Sequence, residues 1–137
     1  MKNVNSLLRK SLATNASFSL VCGSMFLIFS PELSAWMHIQ DITVLYSLGP
    51  GLILFGLYVG YCATRQKPGP YHVWFIIIQD WIWVFGSAFL LITTPFGISL
   101  AGNWVIAIVA TIVMSFAIAQ YKGLQRVTRY VEENKIM

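Results

Sequence analysis

The chain has 137 residues, of which 57% are hydrophobic and only 10% charged, and its mean hydropathy is +0.69. That balance excludes an ordinary soluble domain with a wet, charged surface. The nine Lys and Arg outnumber the five Asp and Glu, but they do not point to nucleic acid. They are confined to three places: Lys2, Arg9 and Lys10; Arg65 and Lys67; and Lys122, Arg126, Arg129 and Lys135.

About 20 mostly apolar residues cross a bilayer as a helix. Four such stretches are present, near Thr14–Ser30, Ile42–Ala63, Tyr71–Thr94 and Ala101–Tyr121, with no room for a soluble domain besides. They are continuously apolar without alternation, which excludes a transmembrane barrel. The bases precede the first stretch, separate the second from the third and follow the fourth. The other two connections have none, so the positive-inside rule predicts both termini in the cytoplasm. The expected fold is an all-α, up-down-up-down bundle of four transmembrane helices over residues 1–137. Its expected setting is the lipid bilayer of a bacterial inner membrane.

In chain order, Leu7, Leu8 and Leu12 alternate with Arg9, Lys10 and Asn15, which predicts an interfacial lead-in to the first span. The basic start and the apolar run Phe18–Phe29 imitate a signal peptide. Leu33-Ser34-Ala35 begins with too bulky a residue for cleavage, and Val21 before Cys22 does not suit a lipoprotein signal, so an uncleaved helix is expected. Ser30-Pro31-Glu32 reads as a helix start, with Ser30 as cap. It predicts a short outer helix, 31–40, anchored by Trp36. Gly49-Pro50-Gly51 predicts a kink in the second span. Gly56, Gly60 and Ala63 give that span a small-residue face, for packing within the chain or for an oligomer seam. The connection Lys67-Pro68-Gly69-Pro70 is short, which predicts that the second and third helices are neighbours. Thr94–Gly97 makes the next outer turn. Ala107, Ala110, Ala117 and Ala119 favour close packing of the fourth helix. Trp36 and Trp104 at one interface, with Tyr61, Tyr71, Trp74 and Tyr121 at the other, make the usual aromatic belts. Residues 122–137 read as a solvated tail in which Glu132 and Glu133 balance the bases.

Asp80 stands in the third span with no other charge around it. A carboxyl at that depth costs about 2.5–3.5 kcal/mol on insertion scales, so it must face protein, hold a proton or line a wet cavity. At the same height the other helices offer Ser24, Leu54–Tyr58 with Tyr58 reaching up, and Thr111 with Ser115. Ile76, Trp83 and Ser87 share its own face. With no Lys, Arg or His at that level, the expectation is a neutral acid that donates to a hydroxyl oxygen and clamps helices together. A proton or cation site, and a polar contact to another subunit, are the competing readings.

No reaction is visible. Cys22 and Cys62 lack the neighbours of a zinc site or a disulfide framework. His38 and His72 fall at opposite membrane faces, about 30 Å apart, and cannot share a haem iron. No catalytic set, phosphate loop or metal spacing is present, so neither metal nor cofactor is expected. Trp81 and Trp83 lie deep in the span and could pack or wall an apolar ligand such as lipid or quinone.

Three segments carry a resemblance: Phe29–His38 with its Pro and Leu, Asp80–Leu91 with a polar residue before a Trp-rich run, and Ala119–Arg126 with a basic Gly-Leu exit. Together they resemble the DoxX-like and related small bacterial integral membrane groups, over Phe18–Arg126. His38 departs from the pattern, which favours Gly there. The resemblance implies a four-helix bundle beside redox or stress-related partners, and no active site. The function expected from all of this is a non-enzymatic accessory or interaction subunit, as a homo-oligomer or in a larger membrane complex. A proton- or cation-coupled transporter or channel using Asp80, or an apolar-ligand binder, is the alternative.

Overall fold

The computed structural model describes residues 2–93 and 97–136, with side chains from Asn5 onward. The described residues form five helices: α1 (Lys2–Ile28), α2 (Ser30–Met37), α3 (Thr43–Thr64), α4 (Pro70–Thr93) and α5 (Leu100–Ile136). All but α2 are long and apolar enough to cross a membrane. The outer turn expected at Thr94–Gly97 lies largely outside the described residues. Gly97 itself has φ 59°, a conformation glycine adopts without steric cost.

Several boundaries differ from expectation. α1 is already helical at Lys2, well before Thr14, and Leu8 and Leu12 are buried core residues rather than an interfacial lead-in. Ser30 is not the cap of α2. Phe29 holds that position (φ −108°, ψ 23°), and the Ser30 hydroxyl turns back to the Phe26 carbonyl. Pro31, which has no N–H to continue the ladder, accounts for the break. α3 runs unbroken through Gly49-Pro50-Gly51. The segment expected to be a solvated tail is helical as far as Ile136, the end of the 37-residue α5, and residues 131–136 are exposed. Leu124 and Val127, three residues apart, pack that extension on the core.

α1 is the centre of the arrangement. It lies along α3 on one side and α5 on the other, and α4 lies along α5. The α1–α3 seam is antiparallel and glycine-lined. A Cβ on Gly23 would sit 2.7 Å from the Gly49 carbonyl oxygen, and one on Gly56 would sit 2.9 Å from Leu20 Cγ and 3.1 Å from the Ala16 carbonyl oxygen. Ala16 and Gly23 are seven residues apart, as are Gly49 and Gly56, so the small residues meet pairwise as the helices cross. At one end of the seam Arg9 Nε donates to the Ala63 carbonyl (3.2 Å) and Asn5 Nδ2 to the Gln66 carbonyl. The first bond satisfies a carbonyl left open at the C-terminus of α3, and the second ties α1 to the connection that follows α3.

α3 and α4 are not packed along their length, although the connection between them is short. They meet only near it, where Tyr58 bonds His72 (2.6 Å) and sets its ring edge-on to Phe75. Residues seven apart share a helix face. Ile82 and Phe89 therefore continue the Phe75 stripe that α4 turns toward α3, and all three are exposed. The bundle is left with one open seam.

The main apolar cluster gathers at the end that holds the α3–α4 connection: Leu8, Leu12, Ile76, Ile77 and Leu124 are its largest members. Arg9, Lys10, Arg65, Lys67 and the bases of α5 lie at the same end. At the opposite end Ser99 ties α2 to α5. Its N–H donates to the Met37 carbonyl (2.9 Å), its hydroxyl donates to the Trp36 carbonyl (3.0 Å), and the same oxygen accepts the Gly102 N–H (3.0 Å) as the cap of α5.

Candidate functional site

Asp80 faces the interior of the bundle and is 3% exposed. Its position follows from helix geometry: Val73, Ile76, Ile77, Asp80 and Ser87 form the buried stripe of α4. It stands ten residues above Pro70, about 15 Å along the helix. Asn15 stands ten residues above Asn5 on α1, at the same height. Its Nδ2 donates to Asp80 Oδ2 (2.8 Å), and the Ser19 hydroxyl, one turn on, donates to Asn15 Oδ1 (3.3 Å). α1 and α4 have no close backbone approach, so this bond spans the diagonal of the bundle.

Gln120 of α5 completes the group. It is fully buried, and neither its nitrogen nor its oxygen makes a hydrogen bond of standard geometry, although the carboxamide lies close enough to Asp80 to act on the acid as a donor. A buried carboxamide left in that state costs about 1–3 kcal/mol for each unmet group. The site is therefore one acid, two carboxamides and a hydroxyl, drawn from three helices.

Of the residues expected around Asp80, the structure brings none of the hydroxyl groups on other helices to it. Ser24 is exposed. Tyr58 is engaged with His72. Thr111 and Ser115 are exposed and return their hydroxyls to the Ala107 and Thr111 carbonyls of α5. Ser87 is buried on the face of Asp80, two turns away. Asn15 and Gln120 were hidden by span boundaries: drawn from Thr14 and to Tyr121, those boundaries put both residues at the membrane edge. Their signal was there to be read, as long carboxamides at the rim of apolar runs.

Trp81 and Trp83 do not make one wall. Two positions apart on a helix they point to opposite sides; Trp81 packs on the core cluster and stacks with Phe85, their ring centroids 5.7 Å apart. Gly56 and Gly60 face α1 within the same chain, and Ala63 is buried against the same core. Among the described residues, no three His, Cys, Asp or Glu side chains gather as metal ligands would. Cys22 and Cys62 are free thiols.

No protein-family model, curated protein or solved structure matches the chain. The likeness to the DoxX-like groups thus stands on its three segments alone.

Proposed function

We propose that this chain is a multi-pass membrane protein that acts as a non-enzymatic accessory or interaction subunit, either self-associating or docked on a larger membrane complex. The observation that carries this reading is the open seam between α3 and α4. Three seams of the bundle are packed and the fourth is closed only at its base, so another helix has a face to complete. The gathering of bases at one end favours an orientation with both termini cytoplasmic in a bacterial inner membrane.

Asp80 favours a second reading, proton or cation transport, since polar groups from three helices converge on it at mid-span. Purified chain in proteoliposomes discriminates between the two. As an accessory subunit it adds no proton or monovalent-cation flux to that of protein-free vesicles. A flux present in the wild type and lost in Asp80→Asn would overturn the accessory reading.

A further inference from the structure

We propose that Asp80 and Gln120, backed by Asn15 and Ser19, form a proton-binding site in which one proton is held between the Asp80 carboxyl and the Gln120 carboxamide. The site holds under either reading of the function. Gln120 carries two unmet needs, an amide donor and a carbonyl acceptor, and both are fully buried beside the acid. A protonated carboxyl offers the complement, one O–H and one carbonyl oxygen. The two groups can close a ring of two hydrogen bonds, with Asp80 O–H donating to Gln120 Oε1 and Gln120 Nε2–H donating to the carboxyl. A carboxylate could accept from Nε2 but would set its negative charge against an unpartnered Oε1. Asn15 donates to the acid in either state, and Ser19 fixes Asn15.

Among the described residues, no ionisable side chain is hydrogen-bonded to Asp80. On α1 the nearest bases are Arg9, bonded to the Ala63 carbonyl, and exposed Lys10. On α5 Lys122 is exposed. On α4 itself His72 lies eight residues away and is bonded to Tyr58, and on α3 Tyr58 is occupied by that same bond. Binding is simple addition of H⁺ to the carboxylate, and its loss breaks the ring that ties α4 to α5.

Infrared difference spectra of the full chain in lipid nanodiscs, with ¹³C-labelled aspartate, test the site. The chain has only two aspartates. Asp41, in the α2–α3 connection, is held below the usual carboxylate range by the Thr43 hydroxyl and backbone N–H, so at neutral pH a labelled acid band reports Asp80. The expected result is such a band at pH 7, absent in Asp80→Asn, lost at alkaline pH and displaced in Gln120→Leu. Asp80→Asn can keep a two-bond amide pair with Gln120. It should therefore fold, with a melting temperature that stays flat over the pH range in which the wild type falls. No labelled acid band at pH 7, a band unmoved by Gln120→Leu, or a band removed by sodium at constant pH would each overturn the proposal, the last by revealing a cation site.

Discussion

His38 closes α2 in the left-handed region, with φ 57° and ψ 36°. The Ile39 N–H reaches back to the Ser34 carbonyl (2.9 Å), the long bond of a Schellman ending. A side chain there carries a steric penalty that glycine avoids. His38→Gly should stabilise the fold by about 1 kcal/mol, the relief of strain outweighing the added freedom of the unfolded chain. Thermal unfolding in detergent would show it as a higher melting temperature. At this scale the sequence was only half legible. Asp80 announced itself as a lone charge in an apolar run, but its partners depended on where α1 and α5 enter the bundle. Because α1 already packs on the core at Leu8 and Leu12, Asn15 lies inside the bundle, at the level of the acid, rather than at its rim. The extension of α5 does the same for Gln120.

Among the elements, hydropathy located the four long helices because each must present apolar side chains along a whole span. Their ends were less visible. The apolar runs suggest edges near Thr14 and Tyr121, yet α1 and α5 extend well past them, since nothing in either segment breaks a helix and leucines or valines recur on the inner face. The glycine pattern needed the partner helix to be interpreted. Gly56 and Gly60 make one motif in sequence but differ in space. A Cβ on Gly56 collides with Leu20 and the Ala16 backbone, whereas one on Gly60 meets only Ala16 Cβ at 3.7 Å. Gly56→Ala should thus cost about 1–3 kcal/mol through overpacking, while Gly60→Ala should be neutral or stabilising by up to about 1 kcal/mol. Melting curves of the two variants in the same micelle would separate them. Equal losses would mean that the α1–α3 seam is not the contact described above.

For the molecule as a whole, the alternation of basic and neutral connections predicts both termini on one side of the membrane; in the structure the first turns of α1 pack against the C-terminal half of α5, with Leu8 against Gly123. The short α3–α4 connection misled in the other direction. Five residues, 65–69, join these helices, yet α3 follows α1 and α4 follows α5. The glycine seam draws α3 toward α1, and the buried stripe of α4 turns toward Asn15 and Gln120. The consequence is an open side lined by Phe75, Ile82 and Phe89, which we propose another polypeptide helix covers. The direct measurement is photo-crosslinking in native membranes from a photoreactive residue at Ile82, with Ile108 on the exposed face of α5 as control. The expected result is a discrete protein adduct from Ile82, to a second copy or to another membrane polypeptide, and lipid adducts alone from Ile108. Lipid adducts alone from both positions would contradict it.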